Sequence, residues 1–563
     1  MEKRMKINKN YRIMGIADAC FLAVIFFTGC ASVSKNKTYK KPDYSVDDVR
    51  NIEITDILAN LEKKPVESLW RAGIVNDTAT IDTCTKKIVS LYTAAYTSKD
   101  YFTALRYYAS LEAAGYSGLD ELKTSADELR NLYSKNVPGL GESQNNAAVS
   151  SKTVSGINGS PSPESVSKYI EGTVTIWVDQ GVKVENGVGR ADRVIGSGFF
   201  IRKDGYIVTN HHVIENCVNP KYEGYARLYV KLADDPDTRI PAKVIGWDSV
   251  LDLALLKAEV DAPYVFSLGS STELSVGDKI YAIGSPVGLE RTLTSGIVSS
   301  TNRKLFTTGG VFQIDAAVNA GNSGGPCIDV NGRVQAIVFA GMPQYQGLNF
   351  AIPIEYLETD LPMLYHGGKR EHGWIAAYGH TMKSGLSEEG LELQYVLPAG
   401  SAGRSDLPEG AVITGVNGKK VQNLEDLQSE IRRWIPETLV KITCSADGKE
   451  KQYVVYLEKR PEYPGYEIYQ HDTIQRSFMP IFGMKMEAVS TLTTKKYSIT
   501  QIIKGGVADE SGFSENDPVE INRIRFSDDK SAISAEIYAK NRKKGYLDIG
   551  IALAAPLDSP YYF

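Results

Sequence analysis

The chain has 563 residues, with 63 Lys+Arg against 68 Asp+Glu and a net charge of −5, too long for one core at about 100–200 residues per domain. Hydrophobic residues at 42% and charged residues at 23% exclude a multi-span membrane protein, a collagen and a wholly disordered chain. The charge balance offers nucleic acid no positive field, six cysteines are too few for a disulfide scaffold of this size, and six scattered histidines make no metal cluster.

Residues 1–12 hold Lys3, Arg4, Lys6, Lys9 and Arg12 against Glu2 alone. The apolar run at 19–28 is far short of the ~20 residues that span a bilayer, so 1–29 reads as a secretory signal outside the fold. The next residues, Phe27-Thr28-Gly29-Cys30, resemble a bacterial lipobox, with Phe27 in place of the usual Leu. That resemblance implies cleavage before Cys30 and lipid on its side. Losing 1–29 removes more positive than negative charge, so acyl chains, not protein charge, would hold the remainder to a membrane. Of the later cysteines, Cys217 and Cys327 are the pair to test for a disulfide, with buried free thiols the simpler expectation.

Residues 44–135 place apolar side chains at helical spacings, with Gly115 and Gly118 as stops. Tyr101, Ala104, Leu105, Tyr108 and Leu111 resemble half of a tetratricopeptide repeat, but no 34-residue recurrence accompanies them, which favours a small helical bundle. Residues 136–165 lack aromatics and are crowded with Gly, Ser, Asn and Pro, the composition of a flexible linker. The helical domain is therefore expected to reorient freely against the rest of the chain. Residues 166–365 carry many short β-type runs punctuated by turns, which argue for an all-β barrel or sandwich. Two β-rich segments come after it, at 372–460 and 478–563, divided by Pro-Glu-Tyr-Pro-Gly-Tyr at 461–466.

Within the first β segment the only histidines are His211 and His212, where a strand runs into a helical turn. Asp252 precedes an apolar run, and Ser323 sits in Asn319-Ala320-Gly321-Asn322-Ser323-Gly324-Gly325-Pro326. A serine hydroxyl needs a neighbouring base to act as nucleophile. The oxyanion it creates needs preorganised N–H donors, and glycines leave the backbone free to present them. The order His, Asp, Ser is that of chymotrypsin-type double barrels. Together with Gly196-Ser197-Gly198-Phe199, Thr294-Ser295-Gly296-Ile297-Val298 and Phe350-Ala351-Ile352-Pro353, these strings resemble the HtrA/Deg family of trypsin-like serine proteases over about 194–353.

That resemblance implies His212 as base, Asp252 as orienting acid and Ser323 as nucleophile, with the N–H groups of Gly321 and Ser323 as oxyanion hole. It implies no metal or organic cofactor. Its expected substrates are unfolded or damaged envelope proteins, and its expected assembly a trimer or multiple of one. Ala320, Ile314 and Asn349 depart from the family's usual residues and should alter loop stiffness and pocket shape more than chemical competence, while His211, where the family usually has Asn, reads as a structural or turn residue. Residues 372–460 resemble the PDZ module that comes after such proteases, with a tight Asn417-Gly418 turn. A second, degenerate PDZ-like unit is suggested around Ile481-Phe482-Gly483-Met484, which resembles a peptide-binding loop more closely than Trp374-Ile375-Ala376-Ala377 does.

The expected fold is thus multidomain: an α-helical N-terminal domain, an all-β chymotrypsin-like double β-barrel and two C-terminal PDZ-like α+β modules. The expected function is a serine endopeptidase, lipid-anchored in the cell envelope and facing the periplasm or exterior. The alternatives are a regulatory protease with one dedicated partner and an inactive peptide-binding scaffold or chaperone.

Overall fold

The computed structural model describes residues 39–136, 161–185, 187–285, 291–306, 309–341, 348–385, 387–446, 448–489, 496–541 and 547–563. The signal segment, Cys30 and most of the expected linker lie outside the described residues.

Five helices, Asp47–Asn60, Pro65–Val75, Thr78–Thr97, Tyr101–Ala113 and Ala126–Asn136, build the N-terminal unit. Their starts are encoded locally: Asp77 and Asp100 accept the N–H groups of Thr80 (3.0 Å) and Thr103 (3.1 Å), and Pro65 occupies a first turn where its missing N–H costs nothing. Thr80, Cys84, Ile88, Tyr92 and Ala95 form the buried stripe of the longest helix.

This unit does not swing freely, contrary to expectation. Its core is continuous with that of the first PDZ-like module. Trp70 stacks on Tyr456 with ring centroids 5.5 Å apart and donates its indole N–H to Ser405 Oγ at 2.9 Å. Ser110 Oγ accepts the Leu439 N–H at 3.1 Å, and Arg106 pairs with Glu437. On the protease side, Phe102 stacks on His366 at 4.6 Å. The expected linker also ends earlier than 165, because Pro163–Glu171 is a helix whose cap, Ser162, accepts the Ser165 N–H.

Two closed six-stranded antiparallel barrels come next. In the first, Thr173–Glu185 pairs with Val188–Phe200 and Arg227–Lys231, and the circuit closes through Tyr206–Thr209, Leu253–Ala258 and Ile240–Asp248. The second comprises Lys279–Gly284, Thr292–Phe306, Gly309–Ile314, Asn349–Pro353, Val334–Gly341 and Pro326–Ile328. The helix Ile354–His366 leads out, and Gly368–Lys369 then adds in parallel to the first barrel at Gly246 and Trp247.

The first PDZ-like module has Ala377–Ser384, Ser387–Val396, Val412–Val416, Leu439–Ala446 and Lys449–Tyr456 in one sheet, with the helix Leu424–Arg432 beside it. Asn417 and Gly418 both have positive φ (48° and 78°), the geometry that a two-residue hairpin turn demands. Pro464–His471 and Ile474–Phe482 are helices, the second of them running into the segment expected to be β-rich; they introduce the second module, a sheet of Met484–Ala488, Lys496–Ile502, Pro518–Phe526, Ala532–Asn541 and Leu547–Pro556. The last residues return to the first module's sheet, so 478–563 is not one spatial unit.

A buried charged joint fastens the first barrel to the helix Ile354–His366 and to the segment that leads into the first PDZ-like module. Asp248, wholly buried, accepts the N–H groups of Val250 (2.7 Å) and Leu251 (3.1 Å) and His372 Nε2–H (2.8 Å). Asp360, also wholly buried, meets Asp248 and lies 3.5 Å from Arg370 Nε. Burial alone would raise the Asp248 pKa, but His372, the Asp360 hydroxyl and Arg370 together hold it below the usual carboxylate range. Burial raises the pKa of Asp360, reinforced by the charge on Asp248, so Asp360 is the protonated partner. Burial also lowers the pKa of His372, which therefore donates as a neutral imidazole.

Trp70→Ala should cost about 3–5 kcal/mol and split the helical unit from the first module, seen as a separate early transition in calorimetry; an unchanged single transition would refute the shared core. Because folding raises the Asp360 pKa, its contribution is full below the unfolded value and is lost as pH rises towards the folded value. Asp360→Asn, which keeps a donor towards Asp248, should therefore raise Tm at pH 8 more than at pH 4.

Candidate functional site

Strand Tyr206–Thr209 delivers the chain to the helix His211–Val218, whose first turn carries His212. Asp252 reads that turn at four points. Its carboxylate accepts the His212 backbone N–H at 2.8 Å and meets Nδ1 at 2.7 Å. Its carbonyl accepts the His211 N–H at 3.2 Å and the Asn210 amide at 2.9 Å. Asp252 has φ +56°, a left-handed conformation that few side chains other than Asn and Asp tolerate. A carboxylate at Nδ1 fixes the neutral tautomer with its proton there, leaving the Nε2 lone pair free. Burial would lower the His212 pKa, but Asp252 reverses this and raises it above the ordinary imidazole value.

Ser323 comes from the second barrel, in a turn pressed against the first. Ser197 is the clamp. Its N–H donates to the Ser323 carbonyl at 2.7 Å and its hydroxyl to the Gly321 carbonyl at 2.6 Å. The same hydroxyl accepts the Ser285 N–H at 2.9 Å, and the Ser197 carbonyl accepts Thr209 Oγ1 at 2.7 Å. Gly324 has φ +85°, and a Cβ there would sit 2.2 Å from the Ser197 carbonyl oxygen and 3.0 Å from the Asn210 nitrogen. The serine turn thus abuts the residues that lead into His212.

Within that turn, Asn322 N–H donates to Asn319, Gly324 N–H to Val338 and Gly325 N–H to Asn322. The N–H groups of Gly321 and Ser323 donate to no acceptor among the described residues. The Ser323 hydroxyl donates to the Phe339 carbonyl at 3.2 Å, and among the described groups no hydrogen bond joins it to His212.

The remaining singled-out residues fall elsewhere. Asn349 is buried with its amide on the Ala316 carbonyl at 2.8 Å. Cys84, Cys217, Cys327 and Cys444 are free thiols, and burial raises the pKa of Cys217 to about 11 and of Cys327 to about 12. Ile481 and Phe482 are not a peptide-binding loop: they end the helix Ile474–Phe482, Gly483 stops it at φ +76°, and Met484 begins a strand. Ile481, Phe482 and Met484 are buried, their apolar side chains filling the second module's core. The clamp at Ser197 carries no local signal in the sequence beyond its two flanking glycines. Asp248, Asp360 and His372 could in composition ligate a metal, but Arg370 and the backbone donors already engage that cluster.

A trypsin-like peptidase domain profile matches residues 196–337, a TP0546 family PDZ domain matches 465–557, and a domain of unknown function (DUF8517) matches 48–133. A probable periplasmic serine endoprotease DegP-like from Bartonella henselae is 37% identical over 281 residues, 47% of this chain and 54% of that protein. A protein of the same description from Marinomonas sp. is 31% identical over 342 residues, 58% of this chain and 70% of that protein. The chain thus spans little more than half the length of the Bartonella relative. A solved HtrA-type protease AlgW with decapeptide is 25% identical with a TM-score of 0.44, covering 53% of this chain and 98% of that one.

Ser197→Ala would strand the buried Gly321 carbonyl. A loss of about 1–3 kcal/mol in stability is expected, measurable by thermal denaturation; an unchanged midpoint would remove Ser197 as the clamp.

Proposed function

The chain belongs to the family of DegP-like serine endoproteases, and on that premise we propose that it is itself a serine endopeptidase that cleaves unfolded or damaged envelope proteins through an acyl-enzyme. The observation that carries this reading is the two-point bond between Asp252 and His212 beside a turn that offers a hydroxyl and two unclaimed N–H donors. In the proposed cycle the Ser323 hydroxyl leaves the Phe339 carbonyl and donates to His212 Nε2. His212 takes its proton as Ser323 Oγ attacks the scissile carbonyl carbon, and Asp252 stabilises the imidazolium so formed. The oxyanion lies on the N–H groups of Gly321 and Ser323; one such donor is worth about 3–4 kcal/mol. His212 then protonates the leaving amine, and water, deprotonated by His212 in turn, releases the acyl group.

The proposed location is the cell envelope, held by lipid on Cys30. Among the described residues no helix is long and apolar enough to cross a membrane, which is compatible with that anchor. Homo-oligomers, trimers or multiples of them, are the assembly we propose, with unfolded polypeptide as partner and no nucleic acid.

A fluorophosphonate probe tests the chemistry. Stoichiometric labelling of the full chain is expected, abolished in Ser323→Ala; folded protein that takes up no label would leave only a peptide-binding scaffold. Since the base must be neutral and Asp252 raises its pKa, turnover should climb with pH through a midpoint above the ordinary imidazole value of about 6.5. Asp252→Asn should lower that midpoint and cut kcat by about 10⁴-fold, read from the pH profile of peptide cleavage.

A further inference from the structure

The helical unit, the helix Ile354–His366 and the first PDZ-like module meet around a pocket of about 250 Å³, room for roughly eight waters at ~30 Å³ each. Each of the three supplies part of its wall: Phe102 and Leu105 from the helical unit, Pro362 and Met363 from the helix that leaves the barrels, Trp434 and Ile435 from the module. Tyr133 donates its hydroxyl to the Pro362 carbonyl at 2.5 Å, which fixes the wall between the helices Ala126–Asn136 and Ile354–His366. A preformed apolar hollow at a junction of domains is a common setting for a small-molecule site.

The charges on the same wall are three guanidinium groups, Arg106, Arg130 and Arg433, against one carboxylate, Glu358. Arg106 is engaged by Glu437, and Arg433 meets Glu430 at 3.3 Å. Arg130 lies with Cζ 4.4 Å from the centroid of the Trp434 ring and pairs with Asp127 at 2.9 Å, but the Asp127 side chain is 87% exposed. A partner held in water offsets little of a buried charge. Burial accordingly lowers the Arg130 pKa, and the Arg433 charge adds to the drop, against the opposing pull of Asp127 and Glu430. Two further polar groups on this wall are unused. Trp434 Nε1 and Thr438 Oγ1, on residues 5% and 0% exposed, have no hydrogen-bond partner among the described residues, and a buried group left in that state costs free energy. An apolar hollow, an under-compensated guanidinium and idle donors call for a ligand with an apolar body and an anionic, hydrogen-bond-accepting end.

We propose that this pocket binds a small hydrophobic carboxylate, an alkyl or aryl acid of about ten non-hydrogen atoms, with its carboxylate shared between Arg130 and the Trp434 indole N–H and its apolar body against Phe102 and Leu105. A guanidinium fork matches a carboxylate in shape as well as charge. Glu358, exposed on the same wall, works against the ligand's charge and disfavours a second carboxylate on it. Because three units share the wall, an occupied pocket ties the helical unit, the protease barrels and the first PDZ-like module to one another. None of its residues belongs to the proposed peptidase site, and binding is read without cleavage, so its failure and that of the peptidase reading are separable.

The test is isothermal titration calorimetry of octanoate and of 3-phenylpropionate into the full chain, beside their neutral amides. Saturable binding is expected for at least one acid, with its amide at least about tenfold weaker, the worth of a charge-assisted hydrogen bond. Arg130→Gln should weaken that acid by at least about tenfold for the same reason, and Glu358→Gln should strengthen it. Ser134→Trp, which adds bulk to the wall from the helix Ala126–Asn136, should abolish binding. Thermal melts establish that the variants are folded, and Ser134→Trp keeps both Arg130 and Trp434 should Arg130→Gln loosen the joint. No saturable binding of either acid, equal affinity of acid and amide, or an affinity unmoved by Arg130→Gln or Ser134→Trp in folded protein would overturn the proposal.

Discussion

Two barrels can carry the proposed nucleophile and its base on separate sheets only if something sets the distance between them. Ser197 does so with four hydrogen bonds: two into the carbonyls of the serine turn, one from the second barrel at Ser285, and one from Thr209 on the strand that leads to His212. Its flanking glycines are part of the same constraint. A Cβ at Gly196 would meet Val213 at 2.7 Å and the Ser323 carbonyl at 3.2 Å, and one at Gly198 would meet the Val208 carbonyl at 2.8 Å. The Gly321 and Ser323 carbonyls are both held, while the N–H groups of those two residues donate to no acceptor among the described residues. Preorganisation of this kind costs nothing at the moment of reaction.

The parts of the site that are legible in the sequence are those whose chemistry is local. A strand entering a helix at His212, an acid before a buried run and a serine among glycines each announce themselves within ten residues, and the structure pairs His212 with Asp252 at 2.7 Å. The strands around them are legible for the same reason, through alternating apolar residues and turn signals. Long-range polar partners are not. Asp248, Asp360 and His372 are scattered over 124 residues, and nothing near any of them marks it as one of a buried set.

The two PDZ-like modules show how a residue pattern can mislead about backbone function. Ile481-Phe482-Gly483-Met484 reads as the better binding loop because its apolar residues and glycine resemble one, yet those side chains serve as core at the end of a helix. Trp374-Ile375-Ala376-Ala377 reads as the weaker. There the main-chain groups of 377–379 pair with the chain's own residues 561 and 563, contacts on which residue identity bears only indirectly. Among the described residues from 484 onward the second module's one α-helix is Val507–Glu510, too short to wall a groove.

The helical unit's docking on the first module couples segments that are far apart in synthesis: Ser110 and the strand it receives at Leu439 are 329 residues distant. At about 5–20 residues per second, the helices leave the ribosome roughly 15–65 s before the surface that covers Trp70 exists. Through that interval their apolar face is bare, a ready target for aggregation or for a chaperone. The unit that comes first along the chain is therefore among the last to be completed, and any block to elongation in the protease barrels leaves it as a sticky orphan.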